Sequence, residues 1–178
     1  DGLGDSDRVV RSFEVMDAYE EVPYVNATGQ NQNQVLARCL TASDAKNSYW
    51  SQESGGWYAV TEDLTISDRV WVQGEVNLIR CDGATLELAN GADVLAVAGA
   101  SLTMWCQQGG TGKLVVGHEP QEQSMQTEDH GIVVIPDSAM TDNAAGIGSR
   151  DGLAVGAITI NGGAITCYGG KDAAGIGG

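Results

Sequence analysis

The chain has 178 residues, enough for one packed domain or a domain with a small cap, and 25 of them are glycine against only three proline. Excess glycine without excess proline argues against a disordered linker and for many tight corners between short ordered strands. The formal charge of −15, from 24 acidic and nine basic residues, excludes nucleic acid and anionic membrane as natural partners, since both call for a basic surface.

Taken in chain order, residues 1–20 are polar and weakly patterned, with a strand expected through Arg11–Met16. Val22–Asn26 and Gln34–Leu40 are β-prone and flank a glycine-bearing loop, which predicts a hairpin. Thr41–Gly56 is rich in turn residues. From Trp57 onward short alternating runs take over: Trp57–Val60, Leu64–Ile66, Val70–Val72, Val76–Ile79, Ala84–Leu88, Val94–Val97, Ser101–Met104, Lys113–Val116, Ile132–Ile135, Ala157–Ile160 and Ala164–Tyr168. Each places an apolar residue at every second position.

No helical pattern of useful length separates these runs, so a helix-crossed parallel sheet is excluded. Strings such as Gly83-Ala84-Thr85-Leu86, Gly99-Ala100-Ser101-Leu102 and Gly163-Ala164-Ile165-Thr166 repeat a corner followed by a strand. Ala-Ala-Gly-Ile-Gly itself occurs twice, at Ala144–Gly148 and Ala173–Gly177. The expected fold is all-β: a short right-handed parallel β-helix (a solenoid) over residues 57–178, with an N-terminal β-hairpin cap in residues 1–56. Circuits of about 20–29 residues would stack about 4.8 Å apart. A sandwich of hairpins would call for longer strands and gives the repeat no role. Within the repeat, Ile147 and Ile176 should point inward, one above the other. Gly146, Gly148, Gly175 and Gly177 should turn the chain around that post with backbone angles closed to other residues.

The four cysteines, Cys39, Cys81, Cys106 and Cys167, lack the close spacing of a zinc site. Cys81 and Cys106 are expected to stack on neighbouring circuits, as buried free thiols or as a disulfide.

Gly56-Trp57-Tyr58-Ala59-Val60, Leu64-Thr65-Ile66-Ser67-Asp68-Arg69, Val76-Asn77-Leu78-Ile79-Arg80-Cys81-Asp82-Gly83-Ala84-Thr85-Leu86 and the Ala-Gly-Ile-Gly copies follow one another in this order. Together they resemble the glycine-rich (AGIGG-repeat) region of large secreted surface proteins of anaerobic Gram-positive bacteria, often labelled carbohydrate-binding-domain proteins. The resemblance spans about residues 22–178. It implies an exported β-helical module at the cell wall or surface, followed by further repeats and an anchor, and it carries over no catalytic residue. The chain departs from the pattern at His118–His130, where an early Ala-Gly-Ile-Gly copy would stand.

Alternation turns Trp71 outward if Val70 and Val72 face the core, and Trp105 outward if Leu102 and Met104 do. Trp71 and Trp105, with Trp50, Tyr49 and Trp57, are candidates for stacking on sugar faces. The competing reading has the N-terminal hairpin covering them. His118 and His130 with Glu119, Glu122, Glu128 and Asp129 could ligate a transition metal only if their loop folded back, and a polar loop explains them equally well. No metal site and no cofactor is expected. A structural calcium is the open alternative, from turn residues Asp68, Asp82, Asp137, Asp142 and Asp151 or from Gly169-Gly170-Lys171-Asp172. Thr141-Asp142-Asn143 and Gly117-His118-Glu119 lack the order and company of the acid, base and clamp motifs of β-helical glycosidases. The expected function is a non-catalytic surface module for adhesion or structural display, with a carbohydrate-binding module using outward tryptophans as the alternative. Partners would be glycans or host and cell-surface proteins, without membrane insertion. Self-association through an uncovered C-terminal coil is also expected.

Overall fold

The computed structural model describes residues 19–30, 34–117, 122–126, 132–136, 143–150 and 152–178. The strands are β1 (Tyr19–Val22), β2 (Val35–Leu40), β3 (Tyr49–Ser51), β4 (Trp57–Val60), β5 (Leu64–Ile66), β6 (Val70–Gln73), β7 (Glu75–Arg80), β8 (Thr85–Leu88) and β9 (Ala92–Val94). They continue as β10 (Ser101–Cys106), β11 (Lys113–Val116), β12 (Glu122–Gln126), β13 (Ile132–Pro136), β14 (Ile147–Gly148), β15 (Ala157–Asn161), β16 (Ala164–Cys167) and β17 (Ile176–Gly177). Short 3₁₀ turns occupy Ala42–Lys46, Gln52–Ser54 and Ala96–Ala98, and no α-helix occurs among the described residues. No helix there is long and apolar enough to cross a membrane. The strand expected through Arg11–Met16 lies outside the described residues.

The protein is all-β, and its main sheets are parallel. The first contains β1-β2-β4-β7-β10-β15, the second β5-β8-β11-β16 and the third β3-β6-β9-β14-β17. From β4 the chain visits first, second and third sheet in turn, then starts again one strand higher. In the first sheet Trp57 pairs with Asn77, Asn77 with Thr103 and Thr103 with Thr159. That last step is the long one because the antiparallel hairpin β12–β13 lies between β11 and β14. Its first strand, β12, lies within His118–His130, where the sequence departs from its repeat pattern, and β13 follows that segment.

The register stacks like on like. Val76, Leu102 and Ile158 form one inward column, and Leu64, Leu86, Leu114 and Ile165 another. Val70, Ala92, Ile147 and Ile176 form a third. Most members are fully buried in one apolar core between the three sheets, where each large side chain contributes about 1.5–3 kcal/mol. β15, β16 and β17 are edge strands, so Ile160 and Ile176 at the top are 46% and 38% exposed.

The bottom of the core is closed differently. Trp50 stacks on Tyr58 with ring centroids 5.8 Å apart, and the Tyr58 hydroxyl accepts from Ser51 N and donates to Ser51 O. Arg38 lies over the Tyr58 ring and pairs with buried Asp44 at 2.7 Å. Asp44 also accepts from the Thr41 amide, which ties the first 3₁₀ turn to this plug.

The structure corrects several expectations. The hairpin exists, but its first strand is Tyr19–Val22 rather than Val22–Asn26. Strand pairing also crosses residue 57, because β2 is parallel to β4 and β3 to β6. Cys81 and Cys106 do not stack and are not bridged; all four cysteines are free. Register sets Cys106 opposite Arg80, one residue away from Cys81, and a one-residue offset puts the two thiols on opposite faces of the sheet.

In the Ala-Ala-Gly-Ile-Gly copies, Ile147 does pair with Ile176. Gly146 and Gly175, however, have no positive φ. Their need for glycine is steric: a Cβ on Gly146 would lie 2.6 Å from Cys167 Sγ and 2.7 Å from Gly175 O. Only the final glycines, Gly148 (φ +149°) and Gly177 (φ +132°), hold backbone angles unfavourable to other residues. Gly146→Val should therefore cost at least about 3 kcal/mol. Gly83→Ala, at φ +83° with open space around the new methyl, should cost only about 1 kcal/mol. Urea-unfolding midpoints of the two variants test this, and equal losses would contradict the steric account.

Candidate functional site

The sequence candidates separate onto different surfaces. On the outer wall of the third sheet, β3 turns Tyr49 out and Trp50 in, and β6 turns Trp71 out between Val70 and Val72. Tyr49 and Trp71 are register partners, so their side chains stand side by side on neighbouring strands, 46% and 42% exposed. Trp50 is buried beneath them in the core and offers no surface to a ligand.

Trp105 does face outward from the first sheet, but the chain covers it. Residues 23–30 cross that wall as a strap. Tyr24 sits 5.0 Å from both Trp57 and Trp105, while Trp57 and Trp105 stack at 6.0 Å. Trp105 Nε1 donates to Asn77 Oδ1. Val25 N donates to Cys106 O and Gln107 Nε2 to Pro23 O, while Asn26 Oδ1 closes the strap's own turn onto Thr28 N and Gln30 N. Beneath lies a second apolar cluster of Val22, Ala37, Cys39, Ala59, Ile79 and Cys81. Trp71 and Trp105 thus belong to separate walls and form no common platform.

The outward column of the third sheet continues from Trp71 to its register partner Asp93 and then to Gly148 and Gly177. The Asp93 carboxylate is 1% exposed because two arginines enclose it. Arg69 Nε donates to Oδ1 at 2.5 Å and Arg150 Nε to Oδ2 at 3.1 Å. Arg69 also spends Nη1 on Asn90 O and Nη2 on Ala145 O, which binds three successive circuits together. Arg150 is 49% exposed, and among the described residues its Nη groups make no hydrogen bond. Sequence reading missed Asp93 and its arginines because the strand was expected at Val94–Val97. The true strand, Ala92–Val94, places Asp93 at the outward position.

Two other polar positions serve the frame. Arg80 occupies an inward position on β7, fully buried. Its Nη1 donates to Ala164 O at 3.0 Å and its Nη2 to Gly162 O, so one side chain ties the third circuit to the fifth. Burial lowers the Arg80 pKa, with the Cys106 thiol acting in the opposite direction.

Asp82 is exposed and pins the turn of the circuit above. Its carboxylate accepts from Thr111 N, Gly109 N and the Thr111 hydroxyl. The Thr111 amide leads the donors that hold its carboxyl below the usual range, against a smaller effect of desolvation. A cavity of about 240 Å³ lined by Pro23, Tyr24, Asp82, Gln107 and Gln108 opens beside it, at one side of the strap.

Among the described residues no group of three or more His, Cys, Asp or Glu is placed to hold a metal ion. His118, Glu119, Glu128, Asp129 and His130 lie outside the described residues, as do Asp137, Asp142 and Asp151. The chain matches no protein-family model, no curated protein and no solved structure.

Because the folded Asp82 carboxyl is depressed, its contribution to stability is present above the ordinary carboxylate pKa of about 4 and is lost as pH falls through the lower folded value. Asp82→Asn should lower the melting temperature at neutral pH, and the gap to the parent should shrink below about pH 4. A pH series of thermal melts checks this. Burial pushes Cys81 and Cys167 up to about 11. In the folded chain at pH 8 both should alkylate about a hundredfold more slowly than a free thiol. In urea all four cysteines should label at equal rates. Peptide mapping after timed iodoacetamide exposure reads both.

Proposed function

We propose that this chain is a short right-handed parallel β-helix based on an N-terminal hairpin, and that it acts as a non-catalytic module for adhesion or display at the cell surface. Support for the architecture comes from the fixed visiting order of three parallel sheets and from the like-on-like inward columns. The right hand follows the general rule for connections between parallel strands. The observation that carries the adhesive role is the exposed pair Tyr49–Trp71 on the third sheet's outer wall, whereas the strap covers the corresponding aromatics on the first sheet. The built-in polar groups Asp82, Arg69 and Arg80 are spent on holding circuits together, which suits a scaffold. Burial of three thiols and the raised pKa values of Cys39, Cys81 and Cys167 keep those groups unreactive, which is compatible with export without disulfides.

The second reading is a carbohydrate-binding module. Two adjacent exposed rings supply the apolar faces on which sugars stack, and Gln73 on the same strand is exposed beside them. Beads coated with the protein should attach to mucin or matrix layers more than blank beads, and no attachment would count against adhesion. On a glycan array spanning plant, mucin and host structures, any bound family should lose at least about tenfold in signal with the double change Tyr49→Ala and Trp71→Ala. Binding that survives it would refute the site.

A further inference from the structure

We infer that the wall carrying Tyr49, Trp71 and Arg150 recognises acidic polysaccharides, with a uronate carboxylate on Arg150 and sugar faces on the rings. This rests on the carbohydrate-binding reading above and adds the ligand's charge to it. Arg69 and Arg150 outnumber Asp93 by one positive charge, on a chain whose formal charge is −15. At physiological ionic strength charges beyond about 8 Å are largely screened, so a group bound against Arg150 meets its unspent guanidinium edge first.

Arg150 is also pre-organised. Its Nε is fixed to a buried carboxylate that Arg69 holds in place from the other side. The remaining N–H groups stay available on a half-exposed side chain, and a guanidinium edge matches a carboxylate with two parallel hydrogen bonds. Asp93, which holds Arg150, is the register partner of Trp71, so its backbone lies one strand, about 4.8 Å, from that of the tryptophan. A ligand reaching both the ring and the guanidinium must carry an apolar face and an anion, as a chain of uronic acid residues does. An exposed sheet wall suits a polymer lying across strands better than an isolated small molecule, which needs a concave pocket. Further along the column Gly148 and Gly177 present no side chain to obstruct it. One surplus charge is too few for nucleic acid, which needs many phosphate contacts.

The test uses polygalacturonate and its fully methyl-esterified form, which keeps the sugar rings and loses the charge, with poly-glutamate as an acidic chain without rings. Affinity electrophoresis or calorimetry on the full chain should show binding to polygalacturonate at least about tenfold tighter than to the ester. Binding should weaken with added salt. Arg150→Gln should remove the preference for the acid, bringing the affinities for the two polymers together. Arg150→Lys should restore only part of it, and Trp71→Ala should weaken binding to both sugars. Thermal melts of each variant separate loss of binding from loss of fold. Equal binding to acid and ester, untouched by Arg150→Gln, would overturn the charge assignment and leave the carbohydrate reading standing. No binding to either polymer would overturn the acidic-polysaccharide assignment, and no signal on the glycan array would overturn the carbohydrate reading as well. Poly-glutamate binding as tight as polygalacturonate and indifferent to Trp71→Ala would assign the wall to acidic peptide instead.

Discussion

In-register stacking of one circuit on the next governs this molecule. Parallel pairing sets each residue above its counterpart, so a column must be filled by residues that tolerate their own kind at about 4.8 Å. Aliphatic side chains do so by interdigitating, as Leu64, Leu86, Leu114 and Ile165 show. Glycine does so where backbones press together, as at Gly148, where a Cβ would collide with the Gly177 carbonyl oxygen. Everything else, including which side chains reach the walls, follows from that register.

Polar groups in the frame obey the same constraint by bridging levels rather than stacking on themselves. Arg69 reaches Asp93 and the Ala145 carbonyl, Arg80 reaches carbonyls two circuits up, and Asp82 grips the turn above it. Among the described residues buried Arg80 has no carboxylate partner and satisfies itself mainly on backbone oxygens, leaving Nε without an acceptor. Such a group costs stability if its acceptors move, so it ties the interior to one arrangement of the Gly162–Ala164 corner.

Most strand positions from Trp57 onward were legible because alternation is a local signal, though not β9: Trp57–Val60, Leu64–Ile66 and Lys113–Val116 fall where the pattern places them. The stacking of Ile147 on Ile176 was legible from an identical pentapeptide. Coverage was not. Trp71 and Trp105 carry the same alternation signal, and only the path of residues 23–30, distant in sequence, decides that one is bare and the other sheltered. Trp50 sits in a strand of three residues, too short for alternation to reveal its face. Glycine identity likewise signals that something is tight without saying whether an angle or a neighbour demands it; at Gly146 it was a neighbour.

The hairpin β12–β13 has an entropic meaning. It lengthens the path between pairing partners in one circuit to roughly twice that of the circuit below, as Thr103 to Thr159 compares with Asn77 to Thr103. Doubling a closed loop costs about 0.6 kcal/mol, less than one well-buried aliphatic side chain returns. The corner between the second and third sheets can therefore absorb added chain at little thermodynamic expense. Length added there leaves the pairing of β11 with β8 and of β14 with β9 in place.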